Sequence, residues 1–346
     1  MAAGSSFQRR SGSGGPLASL AGVSPSLHTS HLLTSCGTPH LDTLLGGGLP
    51  LGSLLLVQED AQGSYGRLLL RYFLSEGLVH GHSLVSCQAG GRDLLSCLPS
   101  VEQRGEEGKA KEEGEAMRIA WRYQGQTNTK GEVGPSTGSH TFNLLKARSR
   151  EEVEKGDVTS IDLGELEQEG LGWEGSSYCS LLRKIQEKLW EGGFLLEGGG
   201  RSDGGGRKVL RLGLASLGSL GWGGREEAAS LLPTFLLSLR ALLRSSLCVA
   251  VVTVPRHLSS LGPRLALCSD FLLELESFAG CEEEVGAAYK DYHGLVKIHK
   301  LPSLGALAPP RQIAQAAAGQ LVFRYCTLHT SVRVVQCVCS GPRGPS

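Results

Sequence analysis

Short unbroken apolar runs alternate along this chain with segments whose apolar positions recur every three to four residues. The runs Leu54–Val57, Ser83–Cys87, Val209–Leu214, Cys248–Val254, Phe271–Leu275 and Leu295–His299 have the length and aliphatic content of strands, and Met117–Trp121 shares that character. Between the first two lies Tyr65–Val79, where Leu69/Phe73 and Leu70/Leu74 fall at i,i+4 while Arg67, Arg71 and Glu76 interrupt. This pattern predicts an amphipathic helix. Tyr178–Trp190 and Thr234–Arg244 repeat the helical pattern. Strand, helix and strand within about 30 residues make a βαβ unit with parallel strands. The continued alternation predicts an α/β fold, a mostly parallel sheet flanked by helices on both faces. Ahead of the first strand, Ser35–Ser53 reads as a short apolar helix and a Gly-rich turn at Gly46–Gly48.

The segments outside this pattern set the expected boundaries. Residues 1–34 are Gly/Ser/Pro-rich, carry Arg9 and Arg10, and lack the apolar core of a secretory signal; they are expected to form a disordered arm. Residues 35–304 are expected to form one domain. Flexible insertions are expected near 98–116, 125–140 and 197–207, where Gly, Ser, Glu and Lys displace the apolar residues a core needs. Residues 305–346, with Pro309-Pro310 and an Ala-rich stretch at Ala314–Ala318, read as a divergent, poorly ordered tail. A length of 346 residues accommodates this plan. With 34 basic and 34 acidic residues and a pI near 7.1, the chain does not grip nucleic acid through net charge, so any such contact is local. No apolar stretch reaches the roughly 20 residues of a bilayer span. The 10 cysteines are scattered without paired CxxC units, so no metal site is expected from them; they read as small buried apolar residues of a reducing compartment.

The loop after the first strand is where an α/β nucleotide-binding protein would carry GxxxxGK[ST], whose backbone amides wrap phosphate, whose Lys neutralises charge and whose hydroxyl holds Mg²⁺. Here it reads Glu59-Asp60-Ala61-Gln62-Gly63-Ser64-Tyr65-Gly66-Arg67. Glu59 stands for the first Gly, Tyr65 for the Lys and Gly66 for the Ser/Thr. Slipping the register to Gly66-Arg67 leaves Ala61 and Leu68 in the other places. Two carboxylates, Glu59 and Asp60, would also face a triphosphate. The second expected element is a carboxylate ending an interior strand to position Mg²⁺. After Val209–Leu214 that place holds Ala215. Asp270, before a later strand, reads as a turn or capping residue rather than a metal ligand.

These segments resemble the family of Elongator complex protein 4, a subunit of the Elongator tRNA-modification complex. The resemblance rests on Ser6-Phe7-Gln8-Arg9-Arg10, Leu41-Asp42 through Leu44-Leu45-Gly46-Gly47-Gly48-Leu49, Arg71-Tyr72-Phe73-Leu74 and Ile119-Ala120-Trp121-Arg122-Tyr123-Gln124. It continues at Leu217-Gly218-Ser219 with Trp222-Gly223, Leu239-Arg240 with Leu242-Leu243-Arg244, Leu275-Glu276-Ser277-Phe278 and Tyr289-Lys290-Asp291-Tyr292-His293-Gly294-Leu295, and fades after Leu304. It implies a RecA-like fold with a degenerate phosphate loop and a ring of six built with two sister subunits, two copies each. That ring joins the larger Elongator subunits, binds tRNA and supports modification of the wobble uridine at carbon 5. It further implies no catalytic residue, no cofactor bound by this chain alone, ATP only at ring interfaces, and residence in the cytoplasm with some nuclear presence.

In such rings the loops after the central strands face the axis. These are Ser216–Glu227, with Trp222 and Arg225, and Pro255–Pro263, with Arg256 and His257 and with Arg264 just beyond. Arg pairs with phosphate and stacks on bases, so Arg225, Arg256, His257 and Arg264 are the RNA-contact candidates; solvated loop charges are the plainer reading. Arg240 and Arg244, at i,i+4, could reach a neighbour's nucleotide or simply form an exposed face. The expected function is a non-catalytic architectural and tRNA-proximal subunit. The rival is a P-loop-type NTPase using Gly63, Gly66 and Arg67 in an atypical loop.

Overall fold

The computed structural model describes residues 20–26, 29, 31–90, 93–102, 140–166, 173–196, 207–223, 225–280, 292–302, 320–326 and 331–337. In chain order the elements are β1 (Val23–Pro25), β2 (Leu32–Thr34), α1 (Pro39–Leu44), β3 (Leu49–Pro50), β4 (Leu54–Gln58), α2 (Ser64–Val79) and β5 (Ser83–Gln88). Then come β6 (Pro99–Val101), β7 (Phe142–Ala147), α3 (Arg150–Glu154), β8 (Val158–Asp162), α4 (Ser177–Glu191), β9 (Leu210–Leu214) and α5 (Arg225–Arg244). The last are β10 (Cys248–Val254), α6 (Gly262–Cys268), β11 (Phe271–Ser277), β12 (Gly294–Lys300), β13 (Gln320–Cys326) and β14 (Ser331–Cys337).

The apolar runs become neighbours in one nine-stranded sheet of order β14-β13-β12-β11-β4-β10-β9-β5-β8. From β11 to β8 every pairing is parallel, and β12, β13 and β14 add antiparallel strands at one end. β4 and β10 are buried at every position, as strands covered on both faces must be. One face carries α4, α5 and α6, whose Leu181, Ile185, Phe235 and Leu239 pack on Leu212, Ala250 and Val252. The other carries α1 and α2, with Phe73 and Leu74 against Leu55, Val249 and Val251. This is the mostly parallel α/β sheet that the apolar pattern predicts, in the RecA-like arrangement that the family resemblance implies.

Several segments differ from expectation. The arm was expected to be disordered through residue 34, yet β1 pairs antiparallel with β2, and β2 with β3. The reason lies in β9: Arg211, fully buried inside an otherwise apolar strand, donates to Ser35 O (2.8 Å), Phe73 O (2.9 Å), Thr34 Oγ1 (2.6 Å) and His82 Nδ1 (2.9 Å). Its guanidinium also lies 4.8 Å from the Phe73 ring centre. Gly77 makes room, since a Cβ there would stand 2.6 Å from Arg211 Cδ. Residues 1–19 lie outside the described part. In the tail, expected to lack order, β13 and β14 continue the antiparallel edge of β12, whose backbone groups accept any extended partner. Residues 303–319, 327–330 and 338–346 lie outside the described residues.

The helix expected at Thr234–Arg244 starts at Arg225 and contains Pro233. Pro233 cannot donate to the carbonyl of Ala229, and Arg264 Nη1 lies 3.4 Å from that oxygen in its place. Pro99–Val101, inside the first expected insertion, pairs with β7. The remaining insertion segments 103–139 and 197–206, with the Met117–Trp121 run and Trp121-Arg122-Tyr123-Gln124, lie outside the described residues. β8 was not foreseen; it pairs with β5 at the other edge. Cys36, Cys87, Cys179, Cys248 and Cys268 are buried free thiols. No described helix is long and apolar enough to cross a membrane.

Candidate functional site

β4, β9 and β10 end together on one side of the sheet, and the loops that follow them enclose a cavity of about 690 Å³. Six of the sequence candidates meet there: Glu59, Gly63, Ser64, Arg67, Arg256 and His257. Ser216, Ser219, Leu220, Gly221 and Pro255 complete much of the wall. Tyr65 and Gly66 do not line it. The Tyr65 hydroxyl hydrogen-bonds Ser277 on β11, and burial pushes its pKa up. Arg264 lies away from the cavity at α5. Arg225 opens α5, and its side chain is outside the described set. Trp222 is buried and stacks on Tyr178 with ring centres 5.1 Å apart, which makes it a core residue.

The phosphate-loop position is filled by the chain's own carboxylates. Asp60 Oδ1 accepts from the amide of Tyr65 (3.0 Å) and Oδ2 from that of Ser64 (3.2 Å), at the start of α2 where a phosphate-binding helix would present free N–H groups. Gly63 takes the left-handed conformation, φ 66°, that closes this turn. Glu59 Oε1 accepts from Thr253 Oγ1 (2.5 Å) and Ser216 Oγ (2.7 Å), while the Ser216 amide donates to Thr253 Oγ1 (2.8 Å). A closed ring of three hydrogen bonds therefore joins β4, β9 and β10. Ser216 is the one described non-glycine residue with positive φ, 50°, a strained conformation held by this ring. Ala215, where a metal-positioning carboxylate would stand, is fully buried and apolar.

The electrostatics divide by depth. Glu59 and Asp60 are buried at the floor, whereas Arg67, Arg256 and His257 are exposed at the rim beside Leu220, which is 89% exposed. Burial pushes the Glu59 carboxyl above the usual carboxylate range, partly offset by the Thr253 and Ser216 hydrogen bonds. A carboxyl raised in the folded state contributes stability that is present at acid pH and is lost as pH rises through the folded value. Glu59→Gln keeps an oxygen for both hydroxyls without the charge. Thermal melts at pH 7.5 are expected to show a Tm gain of about 2–4 °C for the variant, shrinking toward zero in acid. A lower Tm for the variant at every pH would contradict it.

Thr253 and Ser216 were missed as site residues because neither carries charge or a motif; only the pairing of β10 with β9 and β4 brings them to Glu59. Arg240 and Arg244 do not point to an exposed face alone. Both pair with Asp270, which also accepts from the amide of Leu54. Asp270, expected to stabilise its own turn or cap a helix, instead ties α5 to the start of β4.

The PAXNEB family model, described as PAXNEB protein, matches residues 16–325. The chain is 36% identical over 330 residues to Elongator complex protein 4 of Xenopus laevis, covering 88% of this chain and 80% of that protein. It is 38% identical to the Danio rerio protein of the same name, over 87% of this chain and 81% of the relative. For the Homo sapiens protein the identity is 37%, over 87% and 78%. A family match across most of the sequence, reaching into β13, and relatives of this identity along four fifths of their length agree with the fold: the chain belongs to the PAXNEB family, that of Elongator complex protein 4.

Proposed function

We propose that this chain is an architectural, non-catalytic subunit of the Elongator complex that contributes a RecA-like unit to a six-membered ring with two sister subunits, close to tRNA. In this reading the ring supports carbon-5 modification of the wobble uridine while the chemistry occurs on another subunit, in the cytoplasm with some nuclear presence. The observation that carries it is the self-occupied phosphate position: Asp60 holds the first amides of α2, and Glu59 is locked to Thr253 and Ser216. A nucleotide phosphate entering there would meet two buried carboxylates and displace their hydrogen bonds, so no nucleotide is bound tightly by this chain alone. The exposed Arg67, Arg256 and His257 with Leu220 suit an RNA backbone and base at the rim.

Two measurements test the reading. Affinity purification of the full chain followed by mass spectrometry is expected to recover the sister ring subunits and the larger Elongator subunits; recovery of none of them overturns the assembly. Calorimetry of the isolated chain with MgATP is expected to give no saturable heat. A site of micromolar affinity, lost in Arg67→Ala, would restore the NTPase reading.

A further inference from the structure

At the opposite end of α2 from the cavity, three side chains converge that the sequence reading passes over as a group. Glu76 and His80 stand at i,i+4 on one helix face, and His140 arrives from the residue pair just before β7. Glu76 Oε1 lies 3.0 Å from His80 Nε2 and 3.1 Å from His140 Nδ1. Their ligating atoms all fall within 4.8 Å of one another. The two imidazole rings are tilted by 59° with centres 5.3 Å apart, and each presents a nitrogen to the same oxygen, Glu76 Oε1. The remaining oxygen, Glu76 Oε2, is held by the amide of His140 at 3.1 Å.

We propose that Glu76, His80 and His140 bind one divalent transition-metal ion of the Zn²⁺ type, which fastens the β6–β7 ribbon to α2. The donor set decides the class of ion. Two neutral imidazoles and one carboxylate suit Zn²⁺, Co²⁺ or Ni²⁺, whereas Mg²⁺ and Ca²⁺ take oxygen sets. The spacing fits as well. Ligand atoms roughly 2.0–2.2 Å from a tetrahedral ion stand about 3.3–3.6 Å apart, so the two contacts to Glu76 Oε1 open slightly while the two imidazole nitrogens, within 4.8 Å of each other, settle around the ion. Glu76 is a fixed ligand with no exposed side-chain surface, while His80 and His140 are 21% and 33% exposed and can adjust. That exposure also gives water access to a fourth position.

His82, whose ring lies 5.8 Å from that of His80, is not a ligand. Its Nε2 bonds Ala21 O at 2.7 Å and its Nδ1 accepts from Arg211. The ribbon has a second, apolar hold on α2 in the Tyr72–Phe142 ring contact at 5.9 Å, so it can dock before the ion binds. The ion replaces the two imidazole–carboxylate hydrogen bonds with a chelate spanning 64 residues of sequence.

The test uses the full chain stripped with a chelator and titrated with Zn²⁺, with Co²⁺ as the spectroscopic probe. One equivalent is expected, and bound Co²⁺ should show the visible bands of a four-coordinate nitrogen and oxygen site without thiolate charge-transfer absorption in the near ultraviolet. His80→Gln and His140→Gln should each weaken binding at least about 100-fold, beyond what loss of an outer-shell partner does. They should also abolish the Zn²⁺-induced rise in Tm. Unchanged affinity in both variants, thiolate absorption in the unaltered chain, or no saturable binding by that chain would each overturn the site. The spectrum of the unaltered chain decides the matter even if a variant folds poorly.

Discussion

Replacing Arg211 by Met is expected to cost about 3–5 kcal/mol of folding stability, the range for breaking a buried charged network by removing one partner. Met fills the aliphatic stem's volume but supplies no donor, so Ser35 O, Phe73 O, Thr34 Oγ1 and His82 Nδ1 all lose a hydrogen bond at once. The guanidinium remains charged at neutral pH. Burial lowers its pKa to about 10, and the fields of Glu76 and Asp42 oppose that shift. Arg211→Lys should recover less than half of the loss, because an ammonium cannot serve four acceptors spread around a planar fork. Urea unfolding of the two variants, with limited proteolysis to report detachment of the β1–β2–β3 sheet, measures this. A Met variant within about 1 kcal/mol of the parent would mean that the apolar contacts alone hold the N-terminal sheet.

Asp270→Ala should be the next most damaging, at about 1–3 kcal/mol, the cost of leaving a buried amide without its acceptor. Asp270, 2% exposed, receives Arg240 at 2.8 Å and Arg244 at 2.5 Å on one oxygen and the Leu54 amide at 3.0 Å on the other. Truncation leaves that amide without its side-chain acceptor at the first residue of the central strand and frees two guanidinium groups on α5. The arginines are 30% and 52% exposed and regain water, so the main cost is the unpaired Leu54 amide. Asp270→Asn keeps an acceptor for Leu54 and should retain about 1–2 kcal/mol of the difference. Equilibrium unfolding separates the three forms; equal stability of the Ala and Asn forms would show that the Leu54 contact contributes nothing.

The parts of the fold legible in the sequence were those whose side chains face the core on both sides. Leu54–Val57 and Cys248–Val254 are short aliphatic, partly β-branched runs of the kind buried strands carry, and Phe271–Leu275 was short only by its half-exposed end. β8 was illegible because Val158–Asp162 lies at a sheet edge with mixed exposure, so neither a continuous run nor a strict alternation marks it. β1 and β2, three residues each, rely on Arg211 across the fold rather than on local pattern. At the site, the broken phosphate loop was readable residue by residue. Its reading as a clash of two carboxylates was incomplete, because Asp60 turns to the α2 amides and Glu59 to hydroxyls from two other strands. Glu76 and His80 were visible as an i,i+4 pair, but His140 is 64 residues from Glu76 and joins them only through the packing of β7.

The arrangement of β4 has a cost in biosynthesis. Its two sheet neighbours, β10 and β11, are both made long after it: Leu54 and Asp270 are 216 residues apart, and Ser35 waits 176 residues for Arg211. At translation rates of about 5–20 residues per second, the central strand spends roughly 10–40 s with both edges bare. During that interval Leu54-Leu55-Leu56-Val57 is an apolar segment with unpaired strand edges on the nascent chain, which calls for chaperone cover at the ribosome.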